Sequence, residues 1–199
     1  MTARVLLVGF DAAEATLMER LCDEGRMPRL ATLRARGLSV PMVPACMDLL
    51  PGAIWQDIGT GTSAGRHGDY FPDRIHTGEV VMREVDPTQH AASYFWAQAA
   101  AAGQKVAVID HPLVPVMEIP GVTLISEWHV HDQLWGTGSH PASLWSELEA
   151  AHPRAALGRC DWSHGDSTSG FESWLGRLLS ELGIKTDMAL DVLARDEWD

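Results

Sequence analysis

The run Lys105-Val106-Ala107-Val108-Ile109, followed at once by Asp110 and His111, decides the predicted fold. Short apolar runs rich in valine and isoleucine are typical of strands buried on both faces of a parallel sheet. Residues 5–8 and 122–125 have the same character. Apolar residues at helical spacing lie between these runs, so strands and helices alternate. The sequence therefore predicts one α/β domain over residues 1–199 with a mainly parallel sheet.

Glycine and proline residues bound the other predicted elements. Helices are expected at residues 17–22 before Gly25, 28–37, 92–99 before Gly103, between Pro141 and Pro153, and 171–182 before Gly183, with a last helix capped by Thr186. Further strands are expected at residues 38–43 and 79–85. Residues 44–73 are expected to be an irregular functional loop, apart from a short helix at 54–58.

Composition and charge narrow the class of protein. The 199 residues include 15 Lys and Arg against 27 Asp and Glu, which gives a net charge of -12. This charge argues against a surface for nucleic acid or anionic membranes. No apolar run reaches the length of a membrane span, and the first run is too short for a secretory signal, so we expect a cytoplasmic protein. Cys22, Cys46 and Cys160 are expected to be core thiols.

Asp11 is the first candidate functional residue. It follows the predicted strand at residues 5–8 within three positions. Ligands of open α/β sheets bind at the carboxyl ends of strands, and a carboxylate there suits a hard divalent ion. The alternative is that Asp11 only caps the following helix.

Ser63 lies in Gly61-Thr62-Ser63-Ala64-Gly65, which matches the G-x-S-x-G pattern of serine hydrolases. A nucleophile elbow needs a strand before the serine and a helix after it. The segment before Ser63 is predicted to be a short helix, and residues 66–69 carry no helical pattern. We therefore predict that Ser63 is not a nucleophile, and the serine hydrolase stays a weaker alternative.

Two histidine-containing segments could bind metal. His129 and His131 would share one face of a strand, which is a workable spacing for ligands. Asp110 and His111 could form a ligand pair at the end of a strand. Surface or hydrogen-bonded histidines are the commoner outcome of both patterns.

Several motifs occur in a fixed order over residues 4–126. They are Gly9-Phe10-Asp11, Glu24-Gly25-Arg26-Met27-Pro28-Arg29-Leu30 with Leu33, Pro51-Gly52-Ala53-Ile54-Trp55 with Thr60-Gly61 and His67-Gly68, and residues 103–109 with Pro112, Pro115 and Gly121. In this order they resemble the N-terminal part of the type I phosphodiesterase/nucleotide pyrophosphatase branch of the alkaline phosphatase superfamily. The resemblance implies a three-layer α/β/α fold and hydrolysis of phosphate esters at a site with two divalent ions.

The resemblance also assigns roles to single residues. Asp11 matches a metal ligand, and the metal would be zinc or manganese. The position of the family's nucleophile falls on Pro51, which has no hydroxyl. Asp48 is the nearest polar candidate, and residues 48–55 would face the reacting phosphate. The family's later ligands lie in a C-terminal part that we expect to be missing, so the site would be incomplete and the domain truncated.

The sequence therefore predicts a metal-dependent phosphodiesterase or phosphatase domain with a small phosphate ester as its substrate. The rival from another class is a non-catalytic binding or interaction domain that kept the fold and lost the site. An incomplete sheet would leave apolar surface open, so we expect self-association or a partner chain.

Overall fold

The computed structural model describes residues 4–11, 13–42, 51–69, 73–75, 82–84, 86–128, 135–152, 168–196 and 198. The chain divides into two compact units, Ala3–Pro44 and Ala45–Asp199. Cys46, Asp48, His129, His131 and Cys160 lie outside the described residues. None of the described helices is both long and apolar enough to cross a membrane.

The first unit contains two helices, α1 at Ala15–Asp23 and α2 at Pro28–Arg36. The Glu14 side chain caps α1 by accepting hydrogen bonds from the backbone N–H groups of Thr16 and Leu17. The hydrogen bond from the Thr16 hydroxyl is the main reason that the pKa of Glu14 is lowered. Gly25 turns the chain after α1 with a φ of +74°. Both predicted helices of this unit are confirmed.

The strands predicted in the first unit are wrong. Residues 4–10 and 38–42 form no strand, and Val5 and Val8 are 76% and 57% exposed. A strand of a parallel sheet is stable only with hydrogen-bonded neighbours and with helices over its faces. The pattern of residues 5–8 fits such a place, but no strand pairs with it in the described structure. Asp11 therefore does not follow a strand.

The second unit contains a two-stranded sheet and a small three-stranded mixed sheet. The strands are β1 Asp73–Ile75, β2 Met82–Glu84, β3 Val106–Ile109, β4 Val122–Ser126 and β5 Gly138–His140. β1 and β2 form an antiparallel pair, and the other three form a sheet in the order β3-β4-β5. β3 runs parallel to β4, with Ile109 opposite Ile125, whereas β5 runs antiparallel to β4. The α/β class is confirmed, although only one of these three described pairings is parallel.

The second unit also contains helices, of which Phe95–Ala101 and Ala142–Ala151 contact the three-stranded sheet. They are α3 Pro51–Thr60, α4 Ala64–His67, a 3-10 helix at Pro87–Ser93, α5 Phe95–Ala101, α6 Ala142–Ala151 and α7 Thr168–Ala194. α3 is longer than the helix expected at residues 54–58. α4 corrects the prediction that the chain after Ser63 is not helical, because a single turn needs no amphipathic pattern.

Two hydrophobic clusters cover the sheet. Leu124 belongs to a cluster with Tyr94, Trp96 and Val114. Its neighbour Ile125 belongs to the other cluster, with residues of α6 and α7 such as Leu148 and Met188. Successive side chains of a strand point to opposite faces, so β4 contributes to both clusters.

α7 is continuous through Gly183, so the predicted break is wrong. An interior glycine weakens a helix but does not force it to end. The Thr186 hydroxyl donates to the Leu182 carbonyl at 2.7 Å instead of capping a new helix. Met188 and Val192 are buried, whereas the preceding apolar stripe, formed by Phe171, Leu175, Leu179 and Leu182, is exposed.

We expect Gly183→Ala to raise the free energy of unfolding by about 0.5–1 kcal/mol. A Cβ atom at this helical position would meet nothing within 4 Å, so only the backbone entropy changes. Gly103→Ala is the control: its Cβ also meets nothing within 4 Å, but its φ of +87° strains alanine, so unfolding should become easier. Urea denaturation measures both, and a less stable Gly183→Ala would contradict the prediction.

Candidate functional site

The carboxyl ends of β3 and β4 form the candidate site. The parallel pairing brings Asp110 and His111, after β3, to the same end of the sheet as Glu127 and Trp128, after β4. Ligands of parallel sheets bind at this end. This arrangement follows from the two apolar runs, which the sequence shows directly.

The backbone at this end is strained. Asp110, Leu113 and Glu127 have φ values of 54°, 60° and 48°. Positive φ is uncommon outside glycine and is found preferentially at functional sites. Glu127 is not among the residues singled out from the sequence, because no local pattern indicates its conformation.

Asp110 joins the two strands to α7. Its backbone N–H donates to the Ile125 carbonyl at 2.9 Å. Its Oδ1 accepts the Trp128 N–H at 2.9 Å, and its Oδ2 lies 3.1 Å from the Lys185 ammonium. Both carboxylate oxygens therefore have partners, which makes Asp110 a structural anchor in this conformation.

Glu127 is held by the following loop. Its side chain accepts hydrogen bonds from the backbone N–H groups of Trp135, at 2.8 Å, and Gly136. The Thr137 hydroxyl donates to its carbonyl at 2.6 Å. The residue is only 3% exposed, so these backbone donors replace water around a buried carboxylate.

His111 lies against two tryptophan rings. Its ring centroid is 4.9 Å from that of Trp96 and 5.6 Å from that of Trp55. Its Nδ1 lies 3.1 Å from the Pro112 carbonyl. Burial among these groups lowers the pKa of His111 to about 4, so the ring is neutral near pH 7.

Gln56 ties α3 to the loop after β3. Its Oε1 accepts the Tyr94 hydroxyl at 2.9 Å, and its amide N–H donates to the Leu113 carbonyl at 3.2 Å. Burial is the main reason that the pKa of Tyr94 is raised. These contacts span 38 and 57 residues of sequence, so sequence patterns alone could not indicate them.

A second polar cluster lies at α3, α4 and the 3-10 helix. His67 Nδ1 accepts the Asp69 N–H at 3.0 Å, so Nε2 carries the ring proton and donates to Asp57 at 2.7 Å. His90 Nε2 lies 2.7 Å from Asp69 Oδ2, and Asp69 is fully buried. His67 was visible in the sequence as part of a motif, whereas the other three residues of the cluster, Asp57, Asp69 and His90, were not.

The described residues do not assemble the donor set of a metal centre. No group of three or more His, Cys, Asp or Glu residues among them is arranged to hold an ion. Both ring nitrogens of His67 and both carboxylate oxygens of Asp110 are already hydrogen-bonded. Asp11 lies exposed in the first unit.

The structure also shows where two other candidate residues of the sequence analysis, Pro51 and Ser63, lie. Pro51 is the first residue of α3. Ser63 precedes α4 and follows the turn after α3, so the chain runs helix, turn, helix rather than strand, turn, helix. Within the described structure its hydroxyl makes no hydrogen bond to a histidine. Asp48, His129 and His131 remain untested because they fall in the undescribed parts.

No family model matches this chain, and neither the curated proteins nor the solved structures contain a match. The resemblance of the motifs stays a prediction.

The lowered pKa of His111 predicts a pH-dependent stability. Between about pH 4 and the ordinary pKa of 6.5, the unfolded chain binds more protons at this residue than the native protein does. The free energy of unfolding should therefore rise with pH across this window, and the contribution is fully present above it. Each unit of pKa difference corresponds to about 1.4 kcal/mol.

His111→Phe tests this prediction, since phenylalanine keeps an aromatic ring and does not titrate. Urea unfolding at about pH 5 and about pH 7.5 should show a smaller pH dependence in the variant than in the parent protein. Carboxylates titrate in both proteins, so the difference between them isolates His111. Equal pH dependence would show that His111 keeps an ordinary pKa.

Proposed function

We propose that this chain is an α/β domain of a metal-dependent phosphoester hydrolase. The order and spacing of the motifs over residues 4–126 suggest the reaction class. The structural observation that supports a ligand site is the parallel pair β3–β4, whose carboxyl ends carry Asp110, His111 and Glu127. We further propose that the complete sheet is mainly parallel and lies between two helical layers.

Within this proposal, Asp11 is a ligand of zinc or manganese. Its carboxylate is exposed in the first unit, and carboxylates suit such ions. A bound divalent ion would supply stabilisation of negative charge on the phosphate. Pro51 has no nucleophilic atom, so we assign no nucleophile among the described residues. The substrate would be a small phosphate ester.

A non-catalytic binding domain is the second candidate. Two observations favour it: proline occupies the position that the motif assigns to the nucleophile, and the polar groups of Asp110, Glu127 and His67 are hydrogen-bonded within the protein. Such a domain would bind a ligand at the carboxyl end of the sheet but would not hydrolyse it.

Turnover of bis(4-nitrophenyl) phosphate tests the hydrolase proposal. We expect slow release of 4-nitrophenol that requires added zinc or manganese, with weak binding of at most one ion. Asp11→Asn removes the charged ligand and should abolish both the bound metal, measured by elemental analysis, and the turnover. Asp23→Asn, at the end of α1, is the matched control and should change neither.

The results separate the candidates. Metal-dependent turnover that survives Asp11→Asn would reject Asp11 as a ligand. Absence of both bound metal and turnover in the parent protein would reject the hydrolase and favour the binding domain.

We also propose that the chain self-associates through the apolar stripe of α7. Its four residues, Phe171, Leu175, Leu179 and Leu182, are between 40% and 60% exposed. They recur at helical spacing, so they form one strip along the helix. A strip of this kind is complementary to itself when two copies pack about a two-fold axis, which favours a second copy as the occupant.

Light scattering of Leu179→Gln tests the association. We expect the parent protein to form dimers or larger species, and the variant to shift toward the monomer because a buried apolar contact is lost. Leu33→Gln is the matched control, since Leu33 is exposed to a similar extent on α2 but lies outside the stripe. A monomeric parent protein at all concentrations would reject the proposal.

A further inference from the structure

The aromatic cluster of Trp55, Trp96 and His111 contains polar atoms that the fold does not use. The His111 ring is tilted against Trp96 and stands edge-on to Trp55. Trp96 is almost completely buried, whereas Trp55 and His111 keep partial exposure. The cluster therefore lies at the edge of the core, beside the carboxyl end of β3.

The hydrogen bond of His111 defines its tautomer. A carbonyl oxygen can only accept, so the 3.1 Å contact between Nδ1 and the Pro112 oxygen requires a proton on Nδ1. In the neutral ring, Nε2 then presents a lone pair. This nitrogen is buried and has no hydrogen-bond partner among the described residues.

The indole N–H of Trp96 is in a similar position. Its Nε1 is also buried without a partner among the described residues. An indole nitrogen can only donate, whereas the Nε2 of this tautomer can only accept. Two neighbouring rings therefore offer hydrogen-bonding groups of opposite kind. Buried polar groups normally have partners, so these two call for an explanation.

The surroundings hold the cluster in place. The Trp96 ring stacks on Tyr94 with centroids 4.3 Å apart. The Tyr94 hydroxyl and the Leu113 carbonyl are both bound to Gln56, which fixes the loop after His111 to α3. Because the acceptor is already held in place, a ligand that binds it loses little free energy to ordering of the protein.

We propose that His111 Nε2 is the hydrogen-bond acceptor of a ligand site bounded by Trp55 and Trp96, and that the site takes the hydroxyl group of an aromatic or similarly flat alcohol. A hydroxyl can donate to His111 and can also accept from an indole N–H. The partly exposed Trp55 ring supplies apolar surface for the rest of the alcohol. The proposal builds on the proposed function only in placing the ligand at the carboxyl end of β3.

The charge of the site favours a neutral group. His111 has its pKa lowered by burial and stays uncharged near pH 7. Neighbouring Asp110 is paired with Lys185 at 3.1 Å. A hydroxyl therefore fits better than a free cation or anion. Water has the same hydroxyl chemistry, and the experiment distinguishes it from an alcohol.

Phenol and anisole are the probes, because they differ in the hydroxyl hydrogen that His111 would accept. The protein is labelled with ¹⁵N-histidine, and the ring nitrogens are followed by NMR without added metal. We expect the free protein to show His111 protonated on Nδ1. Phenol should shift the signal of the unprotonated Nε2 in a saturable manner, and anisole should leave it in place.

Variants identify the signal and the site. His111→Phe removes the signal, and we expect it to abolish the saturable quenching of tryptophan fluorescence by phenol. His152→Phe is the matched control, because His152 is a half-buried histidine at the end of α6 that is bonded to Asp191. This control should retain the phenol response. Circular dichroism checks that both variants are folded.

Three outcomes would overturn the proposal. A proton on Nε2 would remove the acceptor. Equal shifts with phenol and anisole would indicate an apolar pocket without a hydroxyl contact. A persistent contact between Nε2 and water that phenol does not displace would assign the group to a structural water. Phenol binding without any turnover of phosphate esters would support this site and reject only the hydrolase.

Discussion

The two contacts of the Asp110 carboxylate are the interactions on which the carboxyl end of the parallel strands depends. One oxygen accepts the backbone N–H of Trp128 just after β4, and the other pairs with Lys185 of α7. These contacts join the end of the parallel pair to the longest helix. Because Asp110 has a φ of +54°, the backbone conformation needed for this contact is uncommon, and the contacts must compensate for its strain.

The chain reversals at this end send two aromatic residues into different clusters. His111 packs against Trp55 and Trp96, whereas Trp128 packs edge-on to Trp145 with centroids 6.2 Å apart. His111 after β3 and Trp128 after β4 thus each extend the aromatic packing on one face of the sheet. The proposed site and the core share these side chains. Binding of a ligand at that site would therefore also raise the free energy of unfolding.

The sequence predicted the elements that have a local signal. β3 and β4 are continuous apolar runs, and they pair in parallel as expected. β5, Gly138–His140, has no strand propensity and forms because β4 offers an edge. Residues 5–8 have the same pattern as β3 but are exposed, because an apolar run needs neighbouring strands to become a strand. The partners of Gln56 and Asp69 depend on tertiary contacts and could not be predicted.

The hydrogen bonds at the carboxyl end also engage the charged side chains there. Asp110 is matched by the ammonium of Lys185, and the Glu127 carboxylate accepts two backbone N–H groups. Pairing of this kind reduces the negative potential that a protein with a net charge of -12 would otherwise present to an anionic ester. Among the described residues, the buried groups near this end that have no hydrogen-bond partner are neutral: the Nε2 of His111 and the indole N–H groups of Trp96 and Trp128. Recognition of an alcohol at the proposed site would therefore rest on hydrogen-bond direction and apolar contact rather than on charge.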